Sequence, residues 1–180
     1  MLGLLEAQAG ELRWNGRRIA DPAAFFVPPR AAYTPQVPTL LSGTLRENLL
    51  LGLYTDDAAL AAASRQAVLE ADLAAFPAGL ETLIGARGVR LSGGQIQRTA
   101  AARMFVRDAD LLALDDLSSA LDVETEEVLW QRLLEQRDVT VLAVSHRPLL
   151  LRSADQVLVL EEGRMVVIGP PEEVLSSPLA

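Results

Sequence analysis

The sequence contains neither lysine nor cysteine, and each absence excludes a class of function. Without cysteine the chain cannot carry a disulfide framework or a cysteine-based metal site. All 16 basic residues are arginine. The motif G-x-x-x-x-G-K-[ST], whose lysine reaches the β- and γ-phosphates of a bound nucleotide, therefore cannot occur in this chain.

Aromatic residues are scarce, at 4%, and no apolar run approaches the ~20 residues that a membrane-spanning helix needs. The first residues lack the basic segment that opens a signal peptide. The net charge of −8 argues against a nucleic-acid-binding surface, which needs clustered positive charge. A length of 180 residues suits one domain with a buried core. We therefore expect a soluble, intracellular domain with no nucleic-acid partner.

The stretch 91–122 carries the features on which the rest of the interpretation depends. Ser92 is a good N-cap, and Gly93 and Gly94 allow the backbone to approach a ligand closely. The helix that follows presents unpaired N–H groups and the positive end of its dipole, which together suit an anion. The pattern predicts a helix N-terminus that faces phosphate.

A short apolar strand over residues 111–114 comes next, and Asp115 and Asp116 follow it directly. Carboxylates at the C-terminal end of a buried parallel strand lie where α/β sheets bind their ligands. One such carboxylate can hold Mg²⁺, and its neighbour can orient an attacking water. A polar turn at 118–122 then leads into a predicted helix over 124–135, which Asp122 can cap.

The remaining segments alternate between strand and helix patterns. In chain order, we predict a hairpin of strands 10–14 and 17–19 with Trp14 in the core, a loop over 21–30, a strand over 31–36, a helix capped by Thr44 and Glu47, one or two helices within 56–73, a buried strand over 139–144, a hairpin within 155–168 and a short final helix.

In this order and spacing, the run 91–122 resembles the signature motif, the Walker B strand and the D-loop of the ATP-binding cassette (ABC) ATPases. The residues assigned by this resemblance are Ser92, Gly93, Gly94 and Gln95 in the signature, Asp115 and Asp116 at the Walker B strand, Ser119 and Asp122 in the D-loop, Gln36 in the Q-loop, residues 82–88 in the X-loop and His146 in the H-loop. The resemblance covers nearly the whole chain.

The resemblance implies an α/β fold of the P-loop NTPase (RecA-like) class. It implies a parallel-sheet core at 1–43 and 108–180 and an α-helical subdomain at 44–107. ATP and Mg²⁺ are the implied cofactors. The resemblance makes Asp115 and Gln36 metal ligands, Asp116 and His146 catalytic residues, and the signature an ATP-binding element that acts in trans.

In this family two nucleotide-binding domains close on ATP and drive attached transmembrane domains. The exporter-like motifs imply export, with the chain on the cytoplasmic side of the cell membrane and a homo- or heterodimeric partner domain. Residues 2–5 resemble the end of the helix that leaves the P-loop. We therefore expect the N-terminal strands, the P-loop and the adenine-stacking aromatic residue to lie upstream, and the isolated chain to be inactive.

Two positions depart from the family pattern. Asp116 stands where most active members have glutamate, and this predicts a slow, degenerate ATP site; the alternative is that a backbone shift or a bridging water lets the shorter carboxylate work normally. Ala86 stands where the X-loop usually carries glutamate, so a charge contact at that position stays open.

Two other functions also stay open. The missing lysine fits a non-catalytic or regulatory fragment that completes a partner's ATP site through its signature. The chromosome and DNA-repair ATPases share the signature and Walker B run. They carry long coiled coils, however, and no heptads are present in this sequence.

Overall fold

The computed structural model describes residues 2–86, 88–136 and 138–176. The chain divides into two compact units, Met1–Ala143 and Val144–Ala180. The strands are β1 (Leu12–Trp14), β2 (Arg17–Ile19), β3 (Ala31–Thr34), β4 (Gly43–Thr44), β5 (Leu83–Ile84), β6 (Leu111–Asp115), β7 (Thr140–Val144), β8 (Val157–Glu161) and β9 (Arg164–Gly169). The helices are α1 (Pro22–Phe25), α2 (Leu45–Leu50), α3 (Asp57–Gln66), α4 (Glu70–Ala75), α5 (Gly93–Phe105), α6 (Val123–Leu134), α7 (Pro148–Ser153) and α8 (Pro171–Val174), with a 3-10 turn at Gly79–Glu81.

The first unit begins with the predicted hairpin. Strands β1 and β2 pair in antiparallel register, and Asn15 and Gly16 turn the chain with φ values of 47° and 79°. Both values are positive, as a type I′ turn requires. The expectation of a plain loop over 21–30 was wrong, because Asp21 caps the short helix α1. Trp14 is half-buried rather than fully in the core.

The central element is a parallel sheet in the order β3-β6-β7. Strands β3 and β6 run parallel, with Ala31 opposite Leu111 and Thr34 opposite Leu114. The first four residues of β6 are buried, as expected for a strand covered on both faces. The α/β class with a parallel sheet predicted from the sequence is confirmed.

Two strand predictions need correction. Strand β3 ends at Thr34 instead of running on to residue 36, since Pro35 has no N–H to continue the ladder. Strand β7 was expected to be buried, but its residues are exposed or half-exposed. It lies at the edge of the described sheet, where one side has no strand beside it.

Helices α2 to α5 lie between β3 and β6 in the chain. Thr44 and Glu47 form the predicted capping box at the start of α2. Helix α5 packs against α2, α3 and β3, and the fully buried side chains here include Leu45, Leu49 and Leu60. The predicted X-loop contains β5, which pairs with β4, while its Arg87 lies outside the described residues.

Two arginines of α5 and its C-terminal extension bind the end of α2. Arg103 donates to the carbonyl of Asn48 at 2.8 Å and to that of Thr39 at 3.0 Å. Arg107 donates to the carbonyl of Leu50. Burial lowers the pKa of both guanidinium groups from the usual arginine value. A cation suits this place, because the C-terminal carbonyls of a helix carry partial negative charge.

The second unit contains the predicted hairpin. Strands β8 and β9 are antiparallel, with Val157 opposite Gly169. Its turn uses Glu162 and Gly163 at positive φ, and α8 packs on α7 and β9. Across the described ranges of both units, no helix combines the length and apolar character needed to cross a membrane.

Candidate functional site

The register of β3 and β6 brings Gln36 to the carboxylate pair. The pairing between β3 and β6 ends at Thr34 and Leu114, which lie opposite each other. Gln36 and Asp116 each come two residues after this last pair. The side-chain amide of Gln36 donates to Oδ2 of Asp116 at 3.3 Å. The predicted Q-loop glutamine therefore lies at the same edge of the sheet as the Walker B carboxylates.

Tyr33 also lies at this edge of the sheet, although none of the sequence motifs includes it. Side chains alternate along a strand, so Tyr33, opposite Ala113, shares its face with Asp115. Its hydroxyl donates to Oδ2 of Asp115 at 3.5 Å. Desolvation raises the pKa of the Tyr33 phenol, and the negative charge of Asp115 raises it further. Only the pairing of two distant strands could reveal this neighbour.

Asp116 differs from Asp115 in its backbone and its surroundings. Its φ is 47°, in the left-handed region that residues other than glycine seldom adopt. Its Oδ1 is buried without a hydrogen-bond partner, while its Oδ2 accepts from Gln36. Strained backbone and unsatisfied polar atoms both concentrate at functional sites. Asp116 therefore carries one buried carboxylate oxygen without a hydrogen-bond partner, which marks it as a candidate functional residue.

The N-terminus of α5 is ordered by a capping box that the sequence predicted only in part. Ser92 accepts from the N–H of Gln95 at 3.2 Å, and the Gln95 side chain accepts from the N–H of Ser92 at 2.9 Å. These bonds satisfy the backbone donors at both ends of the box. The N–H groups of Gly93 and Gly94 belong to the first turn, which has no partners within the helix.

Asp72 on α4 holds this helix end from the side. One of its oxygens accepts from the amide of Gln95 at 3.0 Å, and the other forms an ion pair with Arg98 at 2.8 Å. The side chains of Asp72 and Arg98 are each 14% exposed. Asp72 and Arg98 are 26 positions apart, so no local sequence pattern indicates that they pair.

The predicted D-loop lies against the glycines of the signature. A Cβ at Gly94 would stand 3.1 Å from the carbonyl oxygen of Ala120, so this position is tight. A Cβ at Gly93 would meet only the Ala120 side chain, at an ordinary 3.5 Å. Gln97 donates to Oγ of Ser119 at 2.7 Å and accepts from the N–H of Ala120 at 2.9 Å.

Asp122 caps α6, as predicted. It accepts from the backbone N–H of Thr125 at 2.9 Å and from the Thr125 hydroxyl at 2.9 Å. These hydrogen bonds, the backbone one first, lower the pKa of Asp122 below the usual aspartate value. Glu126 on the same helix is buried and accepts from the hydroxyl of Ser118. The D-loop is thus held by both α5 and α6.

His146 belongs to the second unit. It follows β7 with an exposed side chain, and the neighbouring Ser145 hydroxyl accepts from the N–H of Arg147 at 3.1 Å. The structure therefore brings Gln36, Asp115 and Asp116 together, and it brings the signature to the D-loop. The contact of His146 with phosphate stays a prediction.

The residues at the sheet edge fit Mg²⁺. Asp115, Asp116 and Gln36 supply oxygen atoms, which this hard cation prefers, and Oδ1 of Asp116 is an unsatisfied acceptor. Within the described ranges, no group of three His, Cys, Asp or Glu side chains could hold a metal by itself. Mg²⁺ commonly uses one or two carboxylates and completes its shell with water and substrate phosphate. The donor set suits a metal that arrives with a nucleotide.

Comparison with known proteins agrees with this geometry. The sequence profile of the family described as "ABC transporter" matches residues 1–119. The chain is 37% identical, over 172 residues, to the ABC transporter BEA3 of Gibberella fujikuroi. It is 38% identical, over 169 residues, to the ATP-dependent lipid A-core flippase of Burkholderia orbicola. These alignments cover 93% and 92% of the chain, but 13% and 28% of the two relatives.

A solved structure described as a bacterial Atm1-family ABC exporter with ATP bound has a similar fold. Its TM-score is 0.83 at 28% identity, and the match covers 93% of this chain and 30% of that one. The chain thus spans less than a third of the length of each of these proteins.

Proposed function

Because the chain belongs to the ABC transporter family, we propose that it serves as the part of an exporter's nucleotide-binding domain that completes an ATP site on a partner domain. The observation that carries this proposal is the free N-terminus of α5. Its capping box occupies the N–H groups of Ser92 and Gln95 and leaves those of Gly93 and Gly94 to face an anion. The γ-phosphate of ATP held by the partner is the anion that fits.

The carboxylates at the end of β6 have a second role in the proposed function. At the chain's own ATP site, Asp115 and Gln36 would hold Mg²⁺ together with the nucleotide phosphates, and Asp116, whose Oδ1 has no hydrogen-bond partner, would orient the attacking water. When bound, Mg²⁺ neutralises charge on the phosphate oxygens. His146 contacts the γ-phosphate, and Ser119 and Asp122 of the D-loop face the partner domain. ATP hydrolysis is the activity that the family implies.

The partners follow from the same proposal. A second nucleotide-binding domain, identical or different, contributes the P-loop of the ATP site that this chain's signature completes, since the 180 residues contain no lysine with which to form one. The chain acts on the cytoplasmic side of the cell membrane, and attached transmembrane domains use the closure of the two nucleotide-binding domains for export. No nucleic acid is involved.

The test is complementation in trans. The 180-residue chain is mixed with a P-loop-containing nucleotide-binding domain of an ABC exporter, and MgATP turnover is measured. We expect the chain to stimulate turnover, although calorimetry should find no micromolar MgATP binding by the chain alone. Without P-loop amides and lysine, its own phosphate cradle is incomplete.

The variant pair Gly93→Asp and Gly93→Asn then isolates the electrostatic contact. Both side chains have the same shape, and a Cβ at this position meets only an ordinary contact. A carboxylate at the first turn favours the helix but repels phosphate. We expect the aspartate to abolish stimulation and the asparagine to retain much more of it. Equal stimulation by both variants, or none by the unmodified chain, would contradict the proposed function.

A further inference from the structure

Gln97 makes two side-chain hydrogen bonds to the D-loop from inside α5. Its Nε2 donates to Oγ of Ser119 at 2.7 Å, and its Oε1 accepts from the N–H of Ala120 at 2.9 Å. The side chain is buried, at 4% exposure. The Ala120 N–H can only donate, so the amide of Gln97 has one satisfied orientation. The contact is therefore directional.

The position of Gln97 on α5 explains what it joins. Residues four apart share a helix face, so Gln97 lies one turn after Gly93, beneath the free N–H groups. A Cβ at the adjacent Gly94 would stand 3.1 Å from the carbonyl oxygen of Ala120. The two glycines and Gln97 form one surface on which the D-loop rests.

The start of the D-loop is connected directly to Asp116 of the carboxylate pair. The N–H of Ser119 donates to the carbonyl of Asp116 at 3.2 Å, which closes a short turn. Gln97 holds the other end of that turn through Oγ of Ser119. A continuous path of hydrogen bonds thus runs from Gln97 on α5 to Asp116.

We propose that Gln97 is a positioning residue that locks the signature helix to the D-loop, so that the signature offered to the partner and the Asp116 turn of this chain move as one body. This inference rests on the proposed function, because it concerns the coupling between the partner-facing N-terminus of α5 and the chain's own carboxylates. Gln97 needs no contact with nucleotide for this role.

The first measurement needs only the chain itself. Gln97→Met keeps an unbranched side chain of similar volume and removes both hydrogen bonds. We expect amide hydrogen exchange at Ala120 to become about tenfold faster, the size of one net hydrogen bond, while α6 is unchanged. Gln131→Met, the same change on the exposed face of α6, should leave Ala120 unaffected. Unchanged exchange at Ala120 in Gln97→Met would overturn the inference.

The second measurement uses the complementation assay. At saturating chain, Gln97→Met should lower the maximal stimulation of the partner's ATP turnover by about tenfold and leave the apparent KM for ATP unchanged. If Gln97→Met only reduced the fraction of folded chain, adding more chain would restore the stimulation. Stimulation lost because Gln97 no longer positions the D-loop would not be restored in this way. Unaltered maximal stimulation overturns the inference.

A second variant and the unmodified chain complete the design. Ser119→Ala removes the hydrogen bond from Nε2 of Gln97 but leaves Oε1 of Gln97 to accept from the N–H of Ala120. This variant should lower the maximal stimulation and change Ala120 exchange less than Gln97→Met does. If Gln97→Met does not fold, normal stimulation by Ser119→Ala contradicts the inference. If the unmodified chain gives no stimulation, the proposed function fails, and the exchange data still decide whether Gln97 holds the D-loop.

Discussion

The side-chain amide of Gln36 donates a hydrogen bond to Oδ2 of Asp116, although 80 positions separate the two residues in the chain. The bond spans 3.3 Å and leaves Oδ1 of the same carboxylate buried and unpartnered. The two residues meet because β3 and β6 are parallel and in register, with Thr34 opposite Leu114. Gln36 thus holds Asp116 by one carboxylate oxygen, and the other oxygen has no hydrogen-bond partner.

The first prediction concerns the length of the Asp116 side chain. Glutamate would extend the carboxylate by one methylene, about 1.5 Å, and so bring it closer to the attacking water. General-base and water-positioning effects are worth about 10²–10⁴ in rate and depend on hydrogen-bond reach. In a parent assembly in which the P-loop of this chain's own site is present, we expect Asp116→Glu to raise ATP turnover at this site by about tenfold or more.

The neighbouring position gives the matched control. Asp115→Glu makes the same change at the proposed Mg²⁺ ligand, where an added methylene displaces the carboxylate from the metal, and turnover should fall. If Asp116→Glu leaves turnover unchanged or lowers it, the site is not limited by the reach of Asp116.

The second prediction concerns Asp72. Its replacement by alanine leaves the guanidinium of Arg98, 14% exposed, without its carboxylate and removes a hydrogen bond to Gln95. Loss of one partner from a fully buried ion pair costs about 3 kcal/mol or more, so the loss from this largely buried pair should reach up to about 3 kcal/mol. We expect urea denaturation of Asp72→Ala to show a decrease of that order in the free energy of unfolding.

Asp57→Ala is the matched control for this loss. Asp57 pairs with Arg46, but its side chain is 82% exposed, so its replacement should cost less than about 1 kcal/mol. Equal decreases in the free energy of unfolding for Asp72→Ala and Asp57→Ala would show that Asp72 does not hold the signature helix.

The third prediction concerns pH and the Asp122 cap. Hydrogen bonds from Thr125 lower the pKa of Asp122 in the folded chain. The stabilisation is therefore complete above the unfolded-state pKa and is lost as pH falls through the folded-state pKa. Asp122→Asn retains a capping oxygen at every pH but carries no charge.

The thermal unfolding midpoints of the two proteins provide the measurement. We expect the unmodified chain to exceed Asp122→Asn at neutral pH. The difference should shrink as the pH falls below about 4, the usual range of a carboxyl group. Because other carboxylates titrate equally in both proteins, the difference isolates Asp122. A difference that stays constant down to acidic pH would refute the role of its charge.

The sequence by itself determined the family, the α/β class and the local features. The order of the signature, Walker B and D-loop patterns identified the family before any geometry was known. Capping at Thr44, Ser92 and Asp122 and the two hairpin turns were also predictable, because each depends on residues within a few positions of one another. The missing lysine excluded a P-loop without any structure.

The tertiary structure alone decided which distant side chains meet. The register of β3 with β6 places Gln36 at Asp116 and Tyr33 at Asp115, and the packing of α4 and the D-loop against α5 gives Asp72 and Gln97 their partners. Local propensity and periodicity carry no information about such pairs, since a hydrogen bond between residues tens of positions apart depends on how the elements between them pack.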